Sequence, residues 1–448
     1  MKKILLLIAT LFVALTAQAV DYEILSTNSD KLIFTSYVVK YTSVAADGVT
    51  PTEVSGVVTV PVLLFLANTD VLVVDSHHTV SDNASAPSVQ GGSASCIGTS
   101  GAGLGAFYPM AAPDYYGYGI TKDEMHPYLS LEQNARNALD LIPVAQDILA
   151  TKHHITPKML YNIGYSQGAG VALASMKLLE NDAQYAALKQ SFPRGVHAAC
   201  GDGPYDPAVV ANYMYDNADK VLFPALLPFI VNGFLSSAPE EQTQGLKFDD
   251  FFQPALLKPA TLVHPVTGET VEYPGLEALI QAKLYTNEEV GVIMSMVCGG
   301  KSGMADFFSD EMMNKESDLY KRVFSWMSQN SLLTGWQPED EVHLFQLEED
   351  DIIPVQSTEL AAEALHIPAD RVHYYQAADL DIAGDNKHTQ FAPTFFKELI
   401  STISTSYTSL DAIETELDAE APCYDLQGRR VSADYHGVVI QRGIKFMK

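Results

Sequence analysis

Lys158-Met-Leu-Tyr-Asn-Ile-Gly-Tyr-Ser-Gln-Gly-Ala-Gly-Val-Ala-Leu-Ala174 joins a short apolar run to a series of small residues through one glycine-flanked corner. The apolar run predicts a strand and the small residues (Ala169, Gly170, Ala172, Ala174) a helix packed closely on it, so the corner is a strand-to-helix turn. At that corner stands Gly164-Tyr165-Ser166-Gln167-Gly168, a G-x-S-x-G arrangement that holds the serine on a strained bend with its hydroxyl pushed out. Side chains at positions 164 and 168 would collide across so sharp a bend, which accounts for the two glycines. The helix begins at Gln167, and its first amides have no intrahelical acceptor. Those amides, Gln167 foremost, are free to hold a negative oxygen developing beside Ser166. A glycine-rich turn with no chemistry is the competing reading, and the partners of Ser166 decide between the two.

Outward from the corner, residues 32–43 and 53–62 alternate β-branched and aromatic side chains around Asp47-Gly48, the pattern of an antiparallel hairpin expected to form the first two strands. Residues 71–75 and 107–112 are apolar runs, as in strands buried on both faces. They end at Ser76-His77-His78-Thr79 and Pro113-Asp114-Tyr115. Residues 131–150 carry Ala135, Leu139, Ile142, Ala145 and Ile148 at helical spacing, with Ser130 as a cap. A sixth strand at 195–200 ends in Gly201-Asp202-Gly203-Pro204-Tyr205-Asp206. Strand and helix alternating in this way predict an α/β chain whose mostly parallel sheet is covered on both faces.

From 207 to 340 the alternation stops, and a Phe-, Leu-, Met- and Pro-rich segment of mostly helical pattern reads as an inserted cap. Strands return at 342–347 and 372–376, helices at 357–365 and 393–403. The expected organisation is a signal segment at 1–19, core at 20–206, helical cap at 207–340, the rest of the core at 341–410, and an acidic linker with a small β tail at 411–448.

Residues 1–19 hold Lys2 and Lys3, an apolar run, and Ala17-Gln18-Ala19, the layout of a secretory signal peptide. They predict a secreted, periplasmic or cell-surface product. No cysteine follows that site, which argues against a lipid anchor. The apolar run at 221–235 is interrupted by Pro224 and Pro228 and falls short of the roughly 18 residues of a bilayer span, so no integral membrane segment is expected. The formal charge of −28 becomes −30 without the two signal lysines, a field that repels nucleic acid and acidic polymers. Cys96, Cys200, Cys298 and Cys423 allow up to two disulfides in an oxidising compartment. Their spacings match no zinc pattern, and neither metal nor cofactor is expected.

A serine hydroxyl is a weak nucleophile until a histidine takes its proton and a carboxylate orients that histidine. On a strand-turn-helix elbow the chain order is serine, acid, histidine. After the cap, Glu348-Glu349-Asp350-Asp351 follows a strand, so several carboxylates compete. His388 lies in the loop after the last strand, just before the final helix, and is the one histidine in the expected place. His373 falls inside a strand and reads as a packed residue. His153 and His154 read as solvated, and His126, His197, His264, His343, His366 and His436 have no matching position.

Together these residues resemble the α/β-hydrolases, and within them the secretory lipases and esterases with a large helical cap. The likeness spans residues 32–406 and rests on His77-His78-Thr79 with Ala86-Pro87-Ser88, on Pro113-Asp114-Tyr115 with Gly117, on the elbow at 164–168, on Gly203-Pro204-Tyr205-Asp206, and on Trp336-Gln337-Pro338 leading to Asp350 and Pro354. The resemblance implies an α/β-hydrolase fold and selects as the acid the residue four before Pro354, Asp350. It implies Gln167 as one oxyanion donor. For the second it offers Asp114, as in capped lipases, or Thr79, as in α/β-hydrolases at large. Two departures stand out: His77-His78-Thr79 where the family usually has His-Gly-Thr, and Gln346-Leu347 where it usually has His-Gly. Residues 424–448 resemble the C-terminal sorting modules of secreted Gram-negative bacterial proteins, which implies secretion machinery as a partner; a small β appendage is the alternative.

The expected activity is that of a serine carboxylesterase or lipase-like acyl hydrolase using Ser166, His388 and Asp350 on a small-molecule, lipid or carbohydrate ester. Leu222, Phe223, Leu226, Phe229, Phe234, Phe251 and Phe252 are candidates for an acyl pocket, and equally for the cap's own core. A peptidase of the same fold, and a degenerate hydrolase retained as a binding module, are the alternatives.

Overall fold

The computed structural model describes residues 20–29, 33–97, 103–263, 268–414, 424–425, 429–431, 438–441 and 444–447. The signal segment at 1–19, His264, His436, Cys423 and residues 415–420 of the acidic linker lie outside them. Two compact units divide the chain, Met1–Phe396 and Lys397–Lys448.

In chain order the strands of the first unit are β1 (Tyr22–Asn28), β2 (Phe34–Val44), β3 (Pro51–Pro61), β4 (Val71–Ser76), β5 (Met110–Pro113), β6 (Met159–Tyr165), β7 (Val196–Gly201), β8 (Ala260–Val263), β9 (Thr270–Tyr273), β10 (Val342–Leu347) and β11 (Val372–Tyr375). All but β8 and β9 join one nine-stranded sheet in the order β1-β2-β3-β5-β4-β6-β7-β10-β11. The pairings of β1, β2, β3 and β5 are antiparallel, and from β5 onward every pairing is parallel. Every residue of β4, β6 and β7 is buried, which is why their sequences are nearly unbroken apolar runs. Parallel pairing brings the C-terminal ends of β4, β6, β7 and β10 to one edge. The loops that carry Thr79, Ser166, Asp202 and Asp350 therefore leave the sheet side by side.

Helices α1 (Leu131–His153) and α2 (Gln167–Asn181) pack on this sheet. Ala135, Leu139, Ile142, Ala145 and Ile148 of α1 are fully buried, as their spacing predicts. Ser130 is not its side-chain cap; the hydroxyl bonds instead to Ser237.

Between β7 and β10 come α3 (Pro207–Asp216), α4 (Leu226–Ser237), α5 (Asn287–Val297) and α6 (Asp318–Gln329), with shorter helical turns. They enclose a second apolar core containing Phe229, Phe234, Phe251, Phe252, Met294 and Trp326. The segment is not wholly helical, because β8 and β9 pair as a small antiparallel hairpin. After β10 come α7 (Val355–Ala364) and α8 (Lys387–Glu414). In the second unit β12 (Tyr424–Asp425), β13 (Val438–Gln441) and β14 (Ile444–Met447) form an antiparallel sheet.

Several expectations are corrected. A strand precedes the hairpin, so its two arms are second and third, and the strand after the elbow helix is the seventh. The final helix starts at Lys387, which moves His388 from a loop into a first helical turn. No disulfide forms among Cys96, Cys200 and Cys298. No helix among the described residues is long and apolar enough to cross a membrane.

Candidate active site

Ser166 has φ 57° and ψ −126°, a backbone conformation that costs a non-glycine residue on the order of 1–3 kcal/mol. Its neighbours hold it there. The Ser166 amide donates to Gly201 O at 2.8 Å, and its carbonyl accepts from the Ala169 amide at 2.9 Å. A Cβ on Gly164 would stand 2.1 Å from Gly168 O, and one on Gly168 would stand 2.0 Å from Ser76 O. Both obstacles are backbone, so they cannot swing aside. Gly168→Ala is accordingly expected to destabilise the fold by about 3 kcal/mol or more; a denaturation midpoint equal to wild type would contradict the close approach of β4 to the elbow.

The acid loop and the start of α8 bring the next two groups together. Asp350 Oδ2 and His388 Nδ1 are 2.6 Å apart, with the two residues only 5% and 6% exposed. The other oxygen, Oδ1, accepts the amides of Ile352 and Ile353, each at 2.7 Å. Burial on its own would raise the Asp350 carboxyl, but the His388 charge and these N–H donors hold it below its ordinary value. It is thus an anion aimed at the imidazole. Asp351 faces away from the ring, and its carboxylate accepts the amides of Lys387 at 3.0 Å and His388 at 3.3 Å, capping α8. Gln346, at the usual histidine position of the family, pins the same loop from inside, donating to Leu347 O and Ile353 O and accepting from the Thr358 hydroxyl.

His388 meets the elbow through Tyr165. The Tyr165 hydroxyl lies 2.5 Å from His388 O, and the two rings are 5.0 Å apart between centroids. Ser166 is partly exposed, and its hydroxyl makes no hydrogen bond among the described residues. The imidazole and its carboxylate are joined, then, while the serine hydroxyl is free to rotate. A serine–histidine bond that tightens only with substrate bound is common in such sites.

Gln167 opens α2, so its amide has no acceptor within the helix. Of the two candidates for the second donor, Asp114 is excluded as an amide. Its N–H donates to Ser55 O at 3.0 Å, and its carboxylate, fully buried, is occupied by the Ser55 hydroxyl and the Ser88 amide. The Thr79 amide has no backbone acceptor among the described residues, and its hydroxyl lies 3.0 Å from that of Tyr128. Of these two amides, that of Thr79 is the one left without a backbone acceptor among the described residues. His78 stands in the same loop after β4, and the packing around its ring, with His77 and His388 acting in the same direction, pushes its imidazole down to about 4.

One residue without a place in the sequence reading, His126, touches the site. Its Nε2 is 2.8 Å from Gln167 Nε2, and its Nδ1 is 2.9 Å from Tyr116 O. Nδ1 therefore carries the proton and Nε2 accepts from the Gln167 amide group. Burial pushes this imidazole down to about 3, which keeps it neutral and fixes the side chain next to Ser166. No motif surrounds Met125-His126-Pro127, so only the fold exposes this contact.

Asp202, Asp350 and His388 each offer a donor atom within 4.8 Å of the others, a set of ligand-like chemistry. Two zinc ligands at ~2.0–2.2 Å in tetrahedral array stand about 3.3 Å or more apart. At 2.6 Å the Asp350–His388 contact is a direct hydrogen bond, so these residues do not fit as a metal site.

A cavity of about 390 Å³ borders the acid loop, with Asp351 and Ile352 on one wall and Tyr213, Leu222, Phe223, Leu226 and Met304 on others. The apolar residues of the cap thus divide. Phe229, Phe234, Phe251 and Phe252 are core, whereas Leu222, Phe223 and Leu226 reach the cavity.

A mostly parallel sheet, a serine on a strained strand-to-helix turn, and a helical insertion before the acid strand together define the α/β-hydrolase fold, in its esterase- and lipase-like form. Solved structures agree on that fold. The rice cell wall degrading esterase LipA from Xanthomonas oryzae superposes with a TM-score of 0.59 at 16% identity, covering 84% of this chain and 95% of its own. A Legionella pneumophila protein assigned only provisionally as a hydrolase gives 0.61 at 19% identity over 86% and 97%. Lipase A from Candida antarctica gives 0.51 at 12% identity over 80% and 75%. No protein-family model matches the sequence, and no curated protein matches it.

Proposed function

We propose that this protein is an exported serine ester hydrolase. In this reading Ser166 attacks the ester carbonyl, His388 takes the hydroxyl proton and returns it to the leaving alcohol, and Asp350 orients and charge-balances His388. The amides of Gln167 and of the Thr79 loop receive the tetrahedral oxyanion. Water then hydrolyses the acyl-enzyme by the same route in reverse.

The observation that carries the reading is the 2.6 Å bond between the buried Asp350 and His388, with His388 held by Tyr165, the residue before the strained Ser166. The cavity beside the acid loop, apolar at Leu222, Phe223 and Leu226 and polar at Asp216, Asn217 and Lys220, suits a small acyl ester with a polar alcohol portion. Acylated carbohydrate is one such class, and the esterase LipA, which degrades cell wall, shares the fold. Export rests on the signal pattern at 1–19, and a sorting role for the tail on its resemblance.

A fluorophosphonate probe provides the test. Stoichiometric labelling located at Ser166, with hydrolysis of p-nitrophenyl acetate or butyrate, is the expected result. An unlabelled protein without ester turnover would favour a binding module, and cleavage of amides in preference to esters would favour a peptidase.

A further inference from the structure

Behind the Asp350–His388 pair sits a second carboxyl group, on the turn that ends β7. Asp202 is fully buried and has φ 41°, a left-handed conformation that a side chain tolerates poorly. Its amide donates to Phe345 O, and its Oδ1 accepts the Leu347 amide at 2.9 Å, tying the turn to the last residues of β10. Its Oδ2 is 2.8 Å from the Tyr165 hydroxyl. That hydroxyl has a single proton, and it lies 2.5 Å from a second acceptor, His388 O. A carbonyl can only accept, and with the single phenol proton directed there, a proton on Asp202 would complete the remaining contact.

The charges facing Asp202 lead to the same protonation. Asp350 comes from the loop after β10, His388 from the start of α8, Tyr165 from β6 and Tyr205 from its own turn. Asp350 is already the anion of the imidazole, and a second anion within 4.8 Å of it would be buried with no cation of its own.

We propose that Asp202 is a positioning residue acting as a neutral carboxylic acid, whose proton is donated to the Tyr165 oxygen so that Tyr165 can hold the His388 backbone while Asp202 braces the strand leading to Asp350. The proposal rests on the catalytic reading of Ser166, His388 and Asp350. Burial and the Asp350 charge both push the Asp202 carboxyl well above the ordinary carboxylate range, in keeping with it.

A neutral carboxyl has a near-isostere in a carboxamide, which separates this role from that of a second anion. Asp202→Asn should keep kcat/KM for p-nitrophenyl acetate within about threefold of wild type, with the acid limb of the pH profile unmoved. Asp202→Ala, which removes the donor, should lower kcat by about 10²-fold with little change in KM. If Asp202→Asn falls as far as Asp202→Ala, or moves the acid limb down by a unit or more, Asp202 works as an anion and the proposal is overturned.

Thermal unfolding against pH tests the same point without activity. Where the folded-state pKa is raised, the unfolded carboxyl ionises first, so this group's contribution to stability falls as pH rises above about 4 toward the folded value. Asn has no such dependence. The Tm of Asp202→Asn minus that of wild type should therefore become more positive from about pH 4.5 to about pH 8. A flat or declining difference overturns the proposal, whereas a rising difference in a wild type that proves inert toward esters overturns only the functional reading.

Discussion

Ser166→Ala is expected to reduce turnover of p-nitrophenyl esters by on the order of 10⁶-fold, the size of loss seen when a triad nucleophile is removed. The argument is geometric. Ser166 is held at φ 57° on a corner where a Cβ at 164 or 168 would run into backbone, so the bend presents one hydroxyl. Removing that oxygen leaves the Gln167 amide, the cavity and the Asp350–His388 pair intact. Substrate should still bind, and residual catalysis of about 10³–10⁴ over water should persist from binding and the oxyanion donors alone. The variant should also lose its fluorophosphonate labelling while keeping, or slightly raising, its Tm, because Ser166 Oγ has no hydrogen bond to forfeit among the described residues. Unchanged ester turnover in Ser166→Ala would end the functional reading. Turnover lost together with the folded state would leave it to the labelling experiment on the wild-type chain.

Much of this site is legible in the sequence alone. The elbow can be read because its requirements are local: an apolar run, two glycines within five residues, and small residues at the start of a helix. The parallel core can be read because strands buried on both faces leave no polar gaps, as in β4 and β6. Strand β1 is hidden because most of Tyr22–Asn28 is exposed and carries little alternation. The start of α8 is hidden for a related reason. A proline usually marks the first helical position, but Pro393 sits seventh in this helix, past a turn whose amides are capped from outside by Asp351. Asp202 and His126 cannot be found from spacing at all. What distinguishes them is burial beside other titratable groups, contributed by strands and loops distant in the chain, and neither periodicity nor a motif carries that information.

Asp350 and Asp351 are chemically identical neighbours, and the structure separates them by what each carboxylate faces. Asp350→Asn should lower kcat by about 10⁴-fold, because an amide at 2.6 Å from Nδ1 can present its NH₂ and leave the ring in the wrong tautomer, with Nε2 no longer able to take a proton from Ser166. The sign of the pH effect follows from the same bond: with the anion gone, an imidazolium is less favoured, so any residual activity should keep its acid limb at lower pH than in wild type. Asp351→Ala should instead cost about 1 kcal/mol of stability through the lost cap on α8, with kcat altered only as far as the Lys387 and His388 amides shift. Asp351→Asn should be nearly silent, since asparagine caps about as well as aspartate. Measured together, kcat and Tm for these three variants give a crossed pattern, activity lost at 350 and stability lost at 351. If the large loss of kcat appeared at 351 instead, the carboxylate bonded to His388 here would not be the one that serves the reaction, and the acid would have to be reassigned to its neighbour.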